Sequence, residues 1–222
     1  MSQQGTHPAL AGQRLVVVDV EGNGQQPPEI VELAAVTITD GTVSEPTSWL
    51  VKPARPITAL VTRKVHGISN THVAGAPAFT EIRGQVAALL ANGWLVAHNA
   101  RVEVELLARQ LEGFAPAGVV DTLRLARVLW PGYDSYGLDA LIRQERLDLS
   151  VVAASRRHRA AYDAWATALL LLRLLDAAPA TVTRLGHLAE LAPYRSSTSS
   201  TTVVDRGGGQ AQQPSLWAPP DQ

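Results

Sequence analysis

Cysteine is absent from this sequence of 222 residues. Its absence excludes disulfides, thiolate zinc sites and cysteine nucleophiles, and it suits a reducing cytoplasm. Long apolar segments are missing too, since the longest one, at residues 164–172, is far shorter than a membrane span. Residues 1–13 are polar and contain no apolar signal core. These absences predict a soluble, cytoplasmic protein with no membrane partner and with a flexible N-terminus at residues 1–13.

Charge is also sparse. Charged residues make up 18% of the chain, and the formal net charge is −1. This balance argues against a broad basic face that grips long duplex DNA. It permits an enzyme that holds a few nucleotides and adds positive charge locally through metal ions. The hydrophobic content of 46% indicates a globular protein.

Apolar patterning alternates between strand and helix over most of the chain. Strands are predicted at residues 14–20, 30–39, 42–51, 94–97 and 118–120, with a hairpin signal at Asp40-Gly41. Helices are predicted at residues 57–65, 77–91, 100–111, 123–129, 138–142 and 158–175, and residues 143–157 are predicted to be mostly loop. The pattern favours one α/β domain over residues 14–193, with a central mixed five-stranded sheet flanked by helices.

Two carboxylates lie at the end of the first predicted strand. Asp19 and Glu21 follow a run of β-branched residues and precede a glycine-containing turn, Gly22-Asn23-Gly24. Because side chains alternate along a strand, both carboxylates point the same way and would repel each other unless a cation or a proton lies between them. The pair is therefore a candidate half of a metal site. The alternative is an ordinary solvated strand end.

Three later residues occupy comparable positions, where a strand or loop meets a helix. Glu103 follows the strand at residues 94–97, and His158 and Asp163 lie at the beginning of the last helix. Strand ends of this kind are where the sites of α/β sheets form. Each residue alone has an ordinary alternative, which for Asp163 is a favourable charge near a helix N-terminus.

The combination of four carboxylates and an imidazole fits phosphodiester hydrolysis. Two divalent cations about 3.5–4 Å apart can clamp the attacking and leaving oxygens of an in-line displacement. Mg²⁺ and Mn²⁺ prefer the oxygen ligands that carboxylates supply. An unperturbed histidine has a pKa near 6.5, which suits a general base.

Several motifs in this order resemble the DEDDh 3′–5′ exonucleases, which are proofreading-exonuclease-like members of the ribonuclease H-like superfamily. Three of them are Asp-x-Glu after a hydrophobic strand, His-Asn-Ala-x-x-acidic at residues 98–103, and His-x-x-x-x-Asp at residues 158–163. The resemblance spans residues 14–175. It also includes Val65-His66-Gly67-Ile68 with Ala76-Pro77, Val120-Asp121-Thr122-Leu123 and His158-Arg159-Ala160. Each motif alone is weak, whereas all of them in order are a strong signal.

The resemblance implies a role for each candidate residue. Asp19 would bridge two cations, Mg²⁺ or Mn²⁺, and Glu21 and Asp163 would help to hold the cation that carries the attacking water. His158 would be the general base. Glu103 stands where the family usually has aspartate, so its extra methylene either reaches the same cation through another rotamer or loosens that site. We expect activity to be retained, with a changed metal preference as one consequence.

The substrate side has weaker candidates. Gly22-Asn23-Gly24 departs from the family's usual Thr-Thr-Gly or similar, and the backbone amides of Gly22 and Asn23 are candidates for contact with the terminal nucleotide. His66 either lines the nucleotide pocket or is a turn histidine. His98 and Asn99 are candidates as well, although satisfying backbone groups around the strand end is the favoured alternative.

Three arginines close to His158 add a further question. Arg156, Arg157 and Arg159 either draw substrate phosphates toward that histidine or form a solvated loop. The sequence favours neither the phosphate-binding hypothesis nor the solvated loop.

Composition changes after Pro193. Residues 194–222 are rich in Ser, Thr, Gly, Gln and Pro, which predicts a disordered tail. Within it, Gln213, Leu216 and Trp217 resemble the short peptide by which bacterial replication proteins bind the sliding clamp, although Pro214 replaces the usual leucine. A clamp or a polymerase is therefore a candidate partner. The alternative is an uninvolved tail, or Trp217 packing back on the domain.

Three functional hypotheses follow from the sequence. The first is a metal-dependent 3′–5′ exonuclease that releases nucleoside 5′-monophosphates from single-stranded or frayed DNA 3′ ends, in proofreading or repair. The second is a 3′–5′ exoribonuclease acting on short RNA or RNA 3′ tails. The third is a non-catalytic DNA-end or clamp adaptor whose acidic site has decayed.

Overall fold

A mixed sheet of six strands forms the centre of the computed structural model, which describes residues 7–153 and 157–195. The strands are β1 (Arg14–Gly22), β2 (Ile30–Thr39), β3 (Thr42–Val43), β4 (Thr47–Leu50), β5 (Trp94–Ala97) and β6 (Gly118–Asp121). Their order in the sheet is β3-β2-β1-β5-β6, and β4 also pairs with β2. β1 runs antiparallel to β2 and parallel to β5, which is parallel to β6.

Seven helices occur within the described residues, together with two short 3₁₀ helices, Pro8–Leu10 and Ser150–Val152. The helices are α1 (Ala59–Lys64), α2 (Phe79–Leu90), α3 (Arg101–Gln110), α4 (Thr122–Leu129), α5 (Leu138–Glu145), α6 (Ala160–Asp176) and α7 (Leu185–Leu191). None of these helices is long and apolar enough to cross a membrane.

The two faces of β1 pack against different helices. Leu15 and Val17 belong to a core cluster that contains the apolar residues of α6, whereas Val16 and Val18 belong to one that contains those of α2 and α3. This alternation follows from the period of two along a strand. Asp19 continues the series of Leu15 and Val17, so the α6 face of β1 becomes acidic where the strand ends.

The predicted fold class is confirmed, and the structure corrects several details. The strand expected at residues 42–51 is two short strands, β3 and β4, which both pair with β2, so the sheet has six strands instead of five. Pro46 lies between them and lacks the N–H that an unbroken ladder would need. α7 and the 3₁₀ helix Ser150–Val152 were not predicted.

The N-terminal segment also differs from the expectation of flexibility. Pro8–Leu10 forms a 3₁₀ helix, and Ala9 and Leu10 are buried in the same core cluster as Leu15 and Val17. Burial of these two apolar side chains holds the segment against the sheet. The expectation for residues 1–6 lies outside the described part of the chain, as does nearly all of the expected tail.

Candidate active site

Asp19 and Glu21 lie at the end of β1, on the face that α6 covers. Glu21 is buried and Asp19 is half-buried. The pairing of β1 with β2 shifts register between Glu21 and Gly22, so regular pairing is interrupted directly after the second carboxylate. Because Asp19 and Glu21 are two residues apart on one strand, their acidic groups lie side by side on the same face, as strand geometry predicts.

The beginning of α6 lies against this strand end. Asp163 is in the first turn of α6, and His158 precedes the helix with a φ of 55°. The His158 backbone N–H donates a hydrogen bond to Asp163 Oδ2 at 3.1 Å. One ligand atom from each of Glu21, His158 and Asp163 lies within 4.8 Å of the others. The tertiary fold thus brings together residues that are far apart in the sequence.

Glu103 approaches the same place from α3, which begins just beyond the end of β5. Its side chain is buried, and Glu103 Oε2 has no hydrogen-bond partner among the described residues. Burial, with repulsion from Asp121, raises the pKa of Glu103 to about 8. An unpartnered buried carboxylate oxygen is costly, so the position favours a proton or a cation.

The pKa values of the other three carboxyl groups are raised as well. Burial raises the pKa of Asp19 well above its usual value, and repulsion from Asp163, Glu21 and Glu103 raises it further. Burial also raises the pKa of Glu21, with repulsion from Asp163 added, while Arg159 opposes the shift. The pKa of Asp163 is raised to about 7 by burial and by Asp139. Positive charge placed among these groups would relieve their mutual repulsion.

This donor set fits a hard divalent cation. β1, α3 and α6 supply carboxylate oxygens, and His158 adds an imidazole nitrogen close to two of them. The unpartnered Oε2 of Glu103 offers a further oxygen donor. Mg²⁺ and Mn²⁺ bind to oxygen ligands of this type. The site can therefore concentrate positive charge next to a histidine at one edge of the sheet.

His158 has the ionisation that proton transfer from water requires. Burial lowers the pKa of His158, and Asp139 opposes the shift by favouring the charged imidazolium. A pKa below the usual value leaves the imidazole neutral at pH 7, so one ring nitrogen carries a lone pair.

The side chains of Asn23 and His66 are buried in the turn that follows β1. Asn23 is fully buried, and its Oδ1 accepts hydrogen bonds from the backbone N–H groups of Gln25 and Glu29 at 3.1 and 3.0 Å. His66 is also fully buried, with Nε2 3.0 Å from the Gly22 carbonyl oxygen. Its Nδ1 accepts from the Ile68 N–H at 2.9 Å, so the ring is neutral and donates through Nε2. Both side chains hold the turn after β1 together, and the Asn23 backbone N–H donates to the Glu29 carbonyl oxygen at 2.9 Å. A role of either residue in nucleotide binding stays a prediction.

His98 likewise has a structural position. Its Nε2 lies 3.0 Å from the Tyr136 carbonyl oxygen, and its Nδ1 lies 3.0 Å from Thr122 Oγ1. Burial lowers the pKa of His98 to about 4, so the neutral ring donates to Tyr136 and accepts from the Thr122 hydroxyl. Asn99 has a φ of 70° and is exposed. Gly22 is buried, and its carbonyl oxygen is the partner of His66. Among His66, His98 and Asn99, whose side chains were the candidates, Asn99 is the exposed one.

Sequence reasoning missed two acidic residues that support the site. Glu32 on β2 is buried and forms an ion pair with Arg159. Asp121, at the end of β6, is also buried and accepts from the N–H groups of Asn99 and Ala100 at 3.2 Å. Glu32 is the one charged residue in the apolar segment at residues 30–36, and this pattern indicates a buried carboxylate that needs a partner. Asp121 was part of a quoted motif, but no role was assigned to it.

The arginines near His158 have protein partners where they are described. Arg157 forms an ion pair with Asp139, and Arg159 pairs with Glu32. The Arg157 side chain is nevertheless exposed, whereas that of Arg159 is half-buried, and a role of either arginine in phosphate binding stays a prediction. Arg156 lies outside the described residues, as do Gln213, Leu216 and Trp217 of the proposed clamp peptide.

Comparison with known proteins agrees with this geometry. The family model RNase_T, described as an exonuclease, matches residues 16–171. The chain is 33% identical over 162 residues to exodeoxyribonuclease 10 of Escherichia coli (strain K12), covering 73% of this chain and 69% of that protein. It is 34% identical over 171 residues to the 3′-5′ exonuclease DinG of Bacillus subtilis (strain 168), covering 74% of this chain and 18% of that protein. The chain therefore corresponds to only a small part of DinG.

Solved structures give the same result. The fold matches exonuclease X in complex with 5′ overhanging duplex DNA with a TM-score of 0.64 and 32% identity, over 78% of this chain and 98% of that one. Exonuclease I shares the fold at a TM-score of 0.60 and 18% identity, over 80% of this chain and 42% of that one. The motifs, the ribonuclease H-like sheet and the matched family model agree, and the chain belongs to the RNase_T exonuclease family.

Proposed function

We propose that this protein is a divalent-metal-dependent 3′–5′ exonuclease that removes nucleotides from single-stranded or frayed DNA ends in proofreading or repair. The observation that carries the proposal is the convergence of Glu21, His158 and Asp163, with ligand atoms within 4.8 Å of one another. DNA as the substrate is supported by the relative named exodeoxyribonuclease 10 and by the exonuclease X structure with DNA. The polarity is supported by the relative named 3′-5′ exonuclease DinG.

Asp19, Glu21, Glu103 and Asp163 would hold two ions of Mg²⁺ or Mn²⁺. When bound, these ions would offset negative charge on the scissile phosphate and make water more acidic. Without them, nothing among the four carboxyl groups would offset the negative charge of a phosphate. Metal binding is therefore the condition for substrate binding in this proposal.

His158 would act as the general base. Its neutral imidazole accepts a proton as the water oxygen forms a bond to phosphorus and the bond from phosphorus to the preceding 3′ oxygen breaks. The leaving oxygen takes a proton from solvent. The products are a nucleoside 5′-monophosphate and a DNA strand with a new 3′ hydroxyl. General-base assistance of this kind is worth about 10²–10⁴-fold in rate.

A 5′-labelled single-stranded oligonucleotide tests the function. With Mg²⁺ or Mn²⁺ we expect stepwise shortening that EDTA abolishes and that Asp19→Ala and Asp163→Asn reduce by orders of magnitude. Asp176→Asn is the matched control, since Asp176 is an exposed aspartate at the other end of α6. An Asp19→Ala protein that shortens DNA at the wild-type rate would exclude this site as the catalytic centre.

Matched DNA and RNA oligonucleotides of one sequence test the substrate class. Faster shortening of DNA supports the proposal, and faster shortening of RNA would replace it with the exoribonuclease hypothesis. The adaptor hypothesis predicts no shortening of either strand with either metal, together with retained clamp binding.

We infer a clamp or polymerase partner for the tail only from Gln213, Leu216 and Trp217. Replacing Leu216 and Trp217 together by alanine should abolish binding to a purified sliding clamp in surface plasmon resonance. Nuclease activity on short oligonucleotides should not change. A wild-type chain that does not bind the clamp would remove this partner. A cytoplasmic location stays a prediction.

A further inference from the structure

Glu32 is a buried carboxylate directly beside the site, and the mechanism above does not use it. In the antiparallel pairing of β1 with β2, Glu32 is the register partner of Glu21. Register partners in such a pair project from the same face of the sheet. Glu32 therefore lies on the α6 face, next to a proposed metal ligand.

The oxygens of Glu32 are fully engaged by the segment that leads into α6. Arg159 Nη2 donates to Glu32 Oε1 at 2.5 Å, and Arg159 Nε donates to Oε2 at 2.9 Å. Ala160 N–H, at the first residue of α6, donates to Oε2 at 3.0 Å. Glu32 therefore binds both a guanidinium and a free N–H of the helix N-terminus, which are favourable contacts for a carboxylate. The occupied oxygens also make it a poor candidate for direct metal ligation.

The anchored segment carries the catalytic groups. Arg159 follows His158, and the Arg159 carbonyl oxygen accepts from the N–H of Asp163 at 3.1 Å. His158 has a φ of 55°, which L-residues adopt at a cost unless the surroundings hold them. The contacts of Glu32 fix the residue between His158 and the first turn of α6, and so hold that turn at a set distance from β1.

We propose that Glu32 is a positioning residue that anchors the Arg159–Ala160 segment and thereby places Asp163 beside Glu21 for metal binding and His158 beside them as the general base. The inference rests on the proposed function, since it names a support for that same site. Groups that orient metal ligands typically contribute about 10–100-fold to metal affinity or activity.

Contact with a substrate phosphate is an alternative role for Arg159, and the experiment must distinguish it from the positioning role. Arg159 lines a cavity together with Leu50, Ile68 and His72, where its partly exposed guanidinium could contact a substrate phosphate. A phosphate contact would change the KM for DNA. A positioning role would instead change metal binding and kcat.

The test compares Glu32→Gln, Arg159→Gln and the double variant with the wild-type protein. Glutamine keeps the shape of Glu32 but removes the negative charge that pairs with Arg159, and its NH₂ group cannot accept the hydrogen bond that Arg159 Nη2 donates to Oε1. Glu81→Gln is the matched control, because Glu81 Oε2 accepts from the Ala78 N–H at 2.6 Å at the beginning of α2, away from the site. Mn²⁺ binding is measured by titration calorimetry without DNA, and kcat and KM are measured with a single-stranded oligonucleotide.

We expect Glu32→Gln and Arg159→Gln each to weaken Mn²⁺ binding and lower kcat by about tenfold or more, with the KM for DNA changed less than about threefold. The double variant should be no worse than the more impaired single variant, because both substitutions break one contact. Glu81→Gln should bind Mn²⁺ as the wild type does.

Two outcomes would overturn the proposal. One is unchanged Mn²⁺ affinity in both single variants, and the other is an Arg159→Gln effect confined to the KM for DNA, which would indicate a phosphate contact. If Glu32→Gln does not fold, Arg159→Gln and the calorimetry still decide. A wild-type protein that binds Mn²⁺ but cleaves no nucleic acid would contradict the proposed function and leave the positioning role to be judged from metal binding alone.

Discussion

Glu103 replaces the usual aspartate of the family motif and still places a carboxyl group in the acidic site. Its side chain is one methylene longer than the aspartate of the family motif, yet it is buried in the acidic site with an unpartnered oxygen. Burial and Asp121 hold its pKa at about 8. In the metal-free protein Glu103 therefore carries a proton at pH 7, which a cation must displace before it can bind.

The first prediction concerns the length of this side chain. Glu103→Ala should reduce the nuclease rate by orders of magnitude, and Glu103→Asp should change the ratio of the Mg²⁺-dependent to the Mn²⁺-dependent rate, because the shorter carboxylate is withdrawn toward α3. Rates on one oligonucleotide across a concentration series of each metal measure both effects. Glu112→Asp, at an exposed position just beyond α3, is the control. A fully active Glu103→Ala would remove Glu103 from the site.

The second prediction concerns pH. Glu103 and Asp163 have folded-state pKa values of about 8 and about 7, both above their usual values. A raised carboxyl pKa means that the folded state binds the proton more tightly, so metal-free stability falls as pH rises from about 4.5 toward 8. Above that range the carboxylates are charged and a cation binds without displacing protons.

The measurement is the shift of the melting temperature on adding MnCl₂ at pH 6, 7 and 8. The shift should increase with pH, because ligand stabilisation grows with metal affinity. Asp163→Asn should reduce both the shift and its dependence on pH. A shift of equal size at pH 6 and pH 8 would contradict the assignment of these carboxyl groups as ligands.

At the scale of elements, Asp121 links two helix beginnings to the end of β6. Its carboxylate caps α4 by accepting from the N–H groups of Leu123 and Arg124 at 3.0 and 3.2 Å. It also accepts from Asn99 and Ala100, which precede α3. One carboxylate thus fixes the position from which α3 delivers Glu103.

The third prediction is that Asp121→Asn destabilises the protein, because an amide has one acceptor oxygen where four N–H groups converge. Loss of a cap and of buried hydrogen bonds predicts a decrease of about 1–3 kcal/mol in the free energy of unfolding. Urea unfolding followed by circular dichroism measures it. Asp148→Asn is the control, since Asp148 accepts from the Ser150 N–H in an exposed turn and its replacement should change stability little. Equal effects of the two variants would argue against this role of Asp121.

At the scale of the whole molecule, the part of the chain that the structure describes ends at residue 195 and contains both the apolar clusters and the candidate site. The core cluster around α6 ends at Ala192, and Asp163 is the last proposed ligand. The domain limits of residues 14–193 stay a prediction, and the buried Leu10 argues for including the segment before β1.

The fourth prediction is that a chain ending at residue 195 keeps the melting temperature and the nuclease rate of the full chain on short oligonucleotides, since no described core contact is lost. Differential scanning fluorimetry and the oligonucleotide assay measure both. A large loss of activity would mean that residues 196–222 contribute to the site, and loss of clamp binding alone would support the peptide hypothesis.

Local sequence determined most of the secondary structure, because the relevant forces act between near neighbours. Residues 30–39 and 94–97 are strands as their apolar patterning predicts, and α6 follows from its apolar period. Short segments such as α7 escaped prediction because seven residues provide too few turns for a clear period. β3 and β4 were joined because the interruption at Pro46 was not recognised.

The sequence by itself determined which residues are candidates for the acidic site, because their order and spacing match a family pattern. Only the tertiary structure decided which groups each candidate contacts. Asn23, His66 and His98 are residue types that often bind ligands, and here their side chains contact backbone groups that folding brings close. Glu32 and Arg159 are 127 positions apart, so no local pattern could pair them. Their ion pair exists because β2 lies beside β1 and the beginning of α6 meets that edge of the sheet.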